Sequence, residues 1–112
     1  MANDFQNAIF SAIGTARQDL YTTPSASGKR SMLIGLELAN TSGGAITVDI
    51  EIFDNSASSY VVIGNDIPIP ANSTLSFITG QKIVLAESDK VAVKSSSASS
   101  LNAIASILED IK

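Results

Sequence analysis

The sequence predicts an all-β fold: an antiparallel β-sandwich, immunoglobulin-like or jelly-roll, with about seven to nine strands. Segments rich in apolar and β-branched residues recur about every ten residues and are separated by Gly, Ser, Asn and Pro, as is typical of sandwiches and barrels. The chain has 112 residues and no change in composition that would mark a linker, so its length suits one core. We therefore expect residues 1–112 to form a single β-sandwich domain.

The clearest strand lies between residues 45 and 54, where every second residue is β-branched and apolar: Ile46, Val48, Ile50 and Ile52. This period of two is the pattern of a strand with one buried face. Residues 31–40 repeat it on their even positions. Gly35 there could mark a bulge or a close backbone approach, but a packing accommodation is the simpler interpretation. The two segments flank the turn signal Thr41-Ser42-Gly43-Gly44, so we expect a hairpin. Matching the apolar faces pairs Leu38 with Val48, Leu36 with Ile50 and Ile34 with Ile52.

This register also places Glu37 directly opposite Asp49 on the outward face. Like charges at that separation destabilise a sheet, which hints at a cation or a basic partner. A calcium site takes about six to eight oxygens, so two solvated carboxylates are the simpler interpretation. The oxygen-rich turns at residues 54–56 and 87–89 have a similar explanation, because Asx and Ser side chains satisfy the backbone groups of turns.

Shorter signals predict the other strands. Residues 60–64 are mostly apolar, which suggests contacts on both faces. Pro68 and Pro70 cannot donate to a ladder, so their segment is expected at a sheet edge or at a crossing between sheets. Residues 73–78 and 82–85 flank a turn that contains Gly80, and another strand follows the turn at residues 87–89.

The two end segments are ambiguous between helix and strand. Phe5, Ile9, Ile13 and Ala16 are spaced as on one helical face, and Asn3 or Asp4 could cap such a helix. Residues 101–111 also have partly helical spacing. Gly14 disfavours the first helix, and an all-β core needs strands to cover it. We therefore predict strands for both segments.

The missing residue types restrict the chemistry. The chain has no His and no Cys, which excludes Ser–His–Asp and Cys–His catalysis, ordinary zinc sites and disulfides. Paired-carboxylate hydrolysis remains formally open, but the aromatic residues that would bind substrate are only Tyr21, Tyr60 and four Phe. We predict no enzymatic activity, no catalytic residue, no metal site and no cofactor.

Charge restricts the partners. The net charge is −4 and the basic residues are scattered, so a phosphate backbone would be repelled and we expect no nucleic-acid partner. The longest apolar stretch is far shorter than the roughly 20 residues that span a bilayer, and residues 1–15 lack the pattern of a secretory signal. Charged residues make up 16% of the chain, fewer than a free monomer usually carries. Such a surface favours dense packing and self-association, but the sequence does not indicate which surface is used.

Four short motifs carry a resemblance to a known class of proteins: Leu20-Tyr21-Thr22-Thr23-Pro24, residues 33–40, Ile67-Pro68-Ile69-Pro70 and Lys82-Ile83-Val84-Leu85. In this order the chain resembles small virion structural proteins of tailed bacteriophages, especially those of marine and cyanobacterial phages, from about Phe5 to Ile111. Related sequences often have Gly-Asp where this chain has Ser88-Asp89. The resemblance implies a β-sandwich present in many copies on a particle, with the first segment as a strand.

The expected function is therefore that of a structural, non-enzymatic phage virion protein, either a capsid decoration (cement) protein or a head–tail neck or tail component. Its partners would be other copies of itself and virion proteins such as the major capsid or neck and tail proteins. It would be made in the host cytoplasm and located in the virion. The alternative is a carbohydrate- or receptor-binding β-sandwich module, which the small number of aromatic residues and the absence of Trp disfavour.

Overall fold

A computed structural model of the protein describes residues 4–25, 30–78 and 82–109. These residues form nine strands: β1 Asp4–Ile13, β2 Gln18–Thr22, β3 Ser31–Asn40, β4 Ile46–Asp54, β5 Ser59–Ile69, β6 Thr74–Ile78, β7 Ile83–Leu85, β8 Lys90–Ser95 and β9 Leu101–Glu109. The described part of the chain contains no helix, and hence none that could cross a membrane. The all-β prediction is confirmed.

The strands form two antiparallel sheets. Sheet A has the order β1-β9-β3-β6, with β7 also paired to β3, and sheet B has the order β2-β8-β4-β5. The chain passes repeatedly from one sheet to the other, so neighbours within a sheet come from distant parts of the sequence. This connectivity is that of a jelly roll, one of the two sandwich arrangements that the sequence predicted.

The core lies between the sheets and is built by side chains that point inward. In β9 the odd residues from 101 to 107 are buried, namely Leu101, Ala103, Ala105 and Ile107. In β4 Ile46, Val48 and Ile50 are buried, as their spacing predicted. Full burial of a large aliphatic side chain contributes about 1.5–3 kcal/mol. These alternating residues therefore decide which face of each strand is turned toward the core.

The predicted hairpin between residues 31–40 and 46–54 is wrong. β3 lies in sheet A between β9 and the β6/β7 edge, whereas β4 lies in sheet B between β8 and β5. The residues between them carry the chain from one sheet to the other. Leu36 of β3 and Ile50 of β4 belong to the same core, but they reach it from opposite sheets. The same residues are buried whether β3 and β4 pair side by side in one sheet or pack face to face from two sheets. The sequence pattern does not distinguish these two arrangements.

β3 also departs from strict alternation. The sequence favoured a simple packing accommodation at Gly35, but the register of β3 against β9 shifts between Leu33 and Gly35, so a bulge is present. Leu33 is buried before the bulge, and Leu36 and Leu38 are buried after it. The prediction that Met32 and Ile34 share the inward face with Leu36 is therefore wrong.

The second half of the chain confirms one prediction and corrects another. β5 is an edge strand of sheet B, as expected for a strand that contains Pro68. Contact on both faces of residues 60–64 is not found, because Val61, Val62 and Ile63 are 51%, 49% and 40% exposed. The predicted turn at Gly80 lies outside the described residues. Both end segments are strands, β1 paired with β9 from Asp4 to Ile13, and residues 110 and 111 lie outside the described part.

Tyr21 connects the two sheets through hydrogen bonds. It belongs to β2 in sheet B, and its hydroxyl donates to the Glu109 carboxylate of β9 in sheet A. The hydroxyl also lies 2.8 Å from the Ser31 hydroxyl of β3. Burial, together with the bond to Glu109, raises the pKa of Tyr21 above its ordinary value. The phenol is therefore held in its protonated, hydrogen-bonding form.

Replacing Tyr21 with phenylalanine is expected to lower the free energy of unfolding by about 1–2 kcal/mol, because the Ser31 hydroxyl and Glu109 lose a partner while the ring is kept. Since the folded state holds the phenolic proton more tightly than the unfolded state, wild-type stability should also fall as the pH rises above about 10. Urea unfolding at pH 7 and at several pH values above 9 measures both effects. A variant with the same alkaline slope as the wild type would contradict this role for Tyr21.

Candidate interaction surfaces

The outer face of sheet A carries an unusual number of apolar side chains. Strand residues that pair directly point to the same side of a sheet, so the registers Phe5–Leu108, Ile9–Ile104 and Met32–Val84 define the residues that share this face. The most exposed of them are Phe5 at 76%, Ile9 at 67% and Val84 at 61%. We use the name sheet A outer face for the outward residues of β1, β9, β3, β6 and β7.

This face has little charge. Of its described strand residues, Glu37 is the only one with a formal charge, and the others between the apolar residues are small or neutral: Asn7, Ser11, Gly35, Ala39, Thr74, Ser76, Asn102 and Ser106. Monomeric proteins rarely leave a contiguous apolar patch larger than a few hundred Å² in water. Such a surface has the composition of the central part of a protein–protein interface, from which charges are depleted.

A shallow depression lies in the middle of the sheet A outer face. It encloses about 250 Å³ and is lined on its apolar side by Ile9, Ala39 and Ile104, and on its polar side by Glu37 and Thr74. Pockets for small molecules usually enclose about 300–1,000 Å³ and bury most of the ligand. The depression suits a side chain of a partner protein better than a separate ligand.

The outer face of sheet B is different, because it carries several ion pairs. Arg17 donates to the buried Glu51 carboxylate at 2.8 Å, and its guanidinium lies 3.8 Å from the centre of the Tyr60 ring. The hydrogen bonds to Glu51 raise the pKa of Arg17 above its ordinary value. Lys90 lies 3.7 Å from Asp19. Arg17, Lys90 and Asp19 are partly exposed and would lose hydration on docking, so this surface is suited to water.

Tyr60 completes this arrangement. Its hydroxyl donates to Asp19 at 2.8 Å, and its ring packs against Phe53 with 4.8 Å between ring centres. Burial, followed by the bond to Asp19, raises the pKa of Tyr60. Because Arg17 covers the ring, it is not available as an open platform on which a sugar could stack.

The sequence-predicted carboxylate pair does not exist. Glu37 lies in sheet A beside Ile104, whereas Asp49 lies in sheet B, where it faces Lys94 at 3.8 Å and accepts a bond from the Asp66 amide at 2.8 Å. The separation of β3 and β4 into different sheets removes the geometry on which the cation hypothesis depended. No cluster of acidic residues suited to a metal ion occurs in the described ranges.

The two oxygen-rich turns satisfy backbone groups, as predicted. Asp54 accepts from the amide and hydroxyl of Ser56 at 3.1 and 2.7 Å. Asp89 accepts from the Ala86 amide at 3.0 Å and from the Asn55 amide at 2.9 Å. The second bond joins the two turns to each other, a contact that the sequence did not predict.

Comparison with known proteins gives a fold but no family. No protein-family model and no curated protein matches the chain. Solved structures do match. A capsid structure of the Helicobacter pylori bacteriophage KHP30 matches with a TM-score of 0.59 and 10% identity over 99% of this chain and 89% of that one. These likenesses establish the fold alone.

Two further structures share it. One comes from Bacillus endospore appendages, described as a family of disulfide-linked pili, with a TM-score of 0.58 and 14% identity over 97% of this chain and 86% of that one. The other is from the Gx strain of infectious bursal disease virus, with a TM-score of 0.60 and 16% identity over 97% of this chain but 32% of the viral one. The fold of this chain is therefore shared with a bacteriophage capsid structure, a pilus structure and a virus structure.

Sequence reasoning did not locate the sheet A outer face, although part of the signal is present. In β9 the even residues Ile104 and Leu108 are apolar while the odd residues already form a complete inward face. A strand that is apolar on both sides is normally covered on both sides. The rest of the face comes from β1, β3 and β7, which only the sheet order brings beside β9.

Proposed function

We propose that this chain is a multicopy structural protein of a virus particle, without enzymatic activity, and that it works by packing its sheet A outer face against neighbouring subunits. One observation carries the proposal: one face of the sandwich is apolar and nearly uncharged, with Phe5, Ile9 and Val84 exposed. The opposite face also exposes Val62, but it carries the three ion pairs Arg17–Glu51, Lys90–Asp19 and Lys94–Asp49. Desolvating the first face costs little, whereas desolvating the second costs several kcal/mol per ion. The chain would dock with sheet A and present sheet B to water.

The fold supports the proposal that this packing takes place on a particle, because structures with a similar fold include a bacteriophage capsid structure and pili. We propose a capsid decoration (cement) protein or a neck or tail component of a phage, made in the host cytoplasm as a single domain over residues 1–112. Major capsid or neck and tail proteins would be its partners, beside other copies of itself.

Cryo-electron microscopy of the particle whose genome encodes the chain tests this proposal. A copy number that follows the capsid lattice would identify a decoration protein, and a ring of roughly six or twelve copies a neck or tail component. In either case the sheet A outer face should be buried and sheet B should face solvent. Absence from purified particles together with binding to a glycan array would contradict the proposal and favour a carbohydrate-binding module.

A matched pair of variants tests the docking face. Val84→Lys places a charge on the sheet A outer face, and Val62→Lys places the same charge on the outer face of sheet B, at positions that are 61% and 49% exposed. Because burying an unpaired ammonium is costly, we expect Val84→Lys to reduce occupancy of the particle by about tenfold or more, equivalent to about 1.4 kcal/mol. Val62→Lys should leave occupancy near the wild-type level. Equal occupancy of the two variants would contradict docking through sheet A.

A further inference from the structure

In the described part of the chain each of the two sheets ends in two edges, and three of these four edges carry features that prevent pairing with another chain. β2 has five residues, and the β6/β7 edge is divided into strands of five and three residues. β5 is longer, but it contains Pro68, a left-handed residue at Asp66 and two irregularities in its register against β4. Short strands, proline and bulges are the usual means by which proteins protect sheet edges.

β1 is the exception. It has ten residues, and it pairs with β9 in unbroken register from Asp4 to Phe10 before a shift near Ala12. Its sequence has no Lys, Arg or Pro, and its one charge is Asp4 at the start. No described strand covers its other side. An open edge of this length and apolarity is a template for pairing with a strand of another chain.

We propose that β1 pairs antiparallel with β1 of a second copy, about a two-fold axis at Asn7. The sequence is self-complementary in this register, because Phe5 then lies opposite Ile9 of the second copy, and Ile9 opposite its Phe5. The two most exposed apolar side chains of β1, at 76% and 67%, would cover each other. The two Asp4 residues would lie at opposite ends of the paired strands, so no like charges meet.

The pairing would also enlarge the docking face. With strands about 4.8 Å apart and residues about 3.4 Å apart, the sheet A outer face of one copy measures on the order of 600 Å². A stable interface of standard size buries about 800 Å² on each partner, so one copy falls short. Joining β1 to β1 makes one continuous sheet whose outer face, on the order of 1,200 Å², exceeds this area. The inference thus deepens the proposed function, on which it rests, by naming a second copy as the first partner.

Cysteine cross-linking of the isolated protein tests the register. The chain has no cysteine, so a single introduced thiol can form a disulfide only between copies. Directly opposed residues have Cα atoms about 4.5–5.5 Å apart, within the roughly 4.4–6.8 Å that a disulfide spans. We expect Asn7→Cys to give a covalent dimer, and a mixture of Phe5→Cys with Ile9→Cys to give a mixed dimer. Phe5→Cys alone should not cross-link, because its thiols would be about 13 Å apart along the strands.

Ser76→Cys is the matched control, because Ser76 is exposed on the same face but lies on β6, at the far edge of sheet A. Asn7→Lys and Asn7→Asp provide a second measurement that needs no oxidation. Each should weaken the dimer by about tenfold in sedimentation, since like charges meet at the axis, and an equimolar mixture should restore it. Residues 5, 7 and 9 are exposed in the described structure, so these variants should fold, and circular dichroism checks this.

Cross-linking of Ser76→Cys as fast as Asn7→Cys would indicate face-to-face packing and overturn the β1 pairing. The β1 pairing would also be overturned if Phe5→Cys alone cross-linked as fast as the mixture of Phe5→Cys with Ile9→Cys. A wild type that stays monomeric at millimolar concentration, together with an Asn7→Cys protein that does not cross-link, would overturn it as well. A strand of a different virion protein would then be the remaining occupant of the β1 edge. These experiments use the isolated protein and contain no particle. If they fail but the chain is found on the particle, the β1 pairing is wrong and the proposed function is retained, so failure of the pairing can be told apart from failure of the proposed function.

Discussion

Replacing Asn40 with alanine is expected to lower the free energy of unfolding by about 3–5 kcal/mol, the largest effect anticipated for a polar residue of this protein. Asn40 ends β3 and is 2% exposed. Its amide nitrogen donates to three carbonyl oxygens, those of Gly44 at 2.8 Å, Ile69 at 3.0 Å and Pro70 at 3.1 Å. Its side-chain oxygen accepts from the amide and hydroxyl of Ser42 at 2.9 and 2.8 Å.

These bonds connect the end of β3 to the residues that lead to β4 in sheet B and to the end of β5. Each buried backbone group left without a partner costs about 1–3 kcal/mol. Alanine would leave the buried Ile69 carbonyl without this donor and would also remove the part-buried bonds to Gly44, Pro70 and Ser42. Asn40→Asp keeps the shape and the acceptor but has no donor when ionised, so it should recover little of the lost stability. If Asn40→Asp were nearly as stable as the wild type, the stability would depend on the accepting side-chain oxygen alone. That result would contradict the role given to the bonds that the Asn40 amide donates.

Guanidinium unfolding of the three proteins at one pH measures the difference, and an unchanged slope against denaturant would show that the folded state is otherwise the same. Asn55→Ala is the matched control, because Asn55 lies exposed in the turn after β4. Its effect should stay within about 0.5 kcal/mol.

Replacing Gly64 with valine is expected to lower the free energy of unfolding by about 3 kcal/mol through overpacking. Gly64 is buried in β5, paired with Ile50 of β4. A Cβ at this position would lie 2.5 Å from Cδ1 of Ile67 and 3.2 Å from Cε1 of Phe77. Ile67 can turn its flexible end away, but the Phe77 ring comes from sheet A and is packed against the core. The added side chain would therefore push the two sheets apart.

Gly43→Val is the control for this prediction, since a Cβ there would meet nothing within 4 Å. Thermal and denaturant unfolding should place Gly43→Val within about 1 kcal/mol of the wild type. A Gly64→Val protein as stable as Gly43→Val would mean that the sheets can separate at this point without loss of packing. Gly64→Ala should fall between the two, because it adds one methyl group to the same space.

The candidate interaction surface could not be located from the sequence. Charged residues at 16% of the chain and the absence of His and Cys are properties of composition, and they favour packing over catalysis without naming a surface. The position of the surface depends on Phe5, Val84 and Ile104 lying on one side of sheet A. These residues are far apart in the sequence, so no local pattern joins them.

The sequence by itself determined that the chain forms strands and that Ile46, Val48 and Ile50 of β4 point inward, because the alternation of side chains along a strand is a local property. It also restricted the strand with Pro68 to a sheet edge or a crossing between sheets, since this follows from the chemistry of one residue. Only the tertiary structure decided that β3 and β4 lie in different sheets. Leu36 and Ile50 are equally buried whether their strands pair or face each other, so the choice depends on how all nine strands share one core.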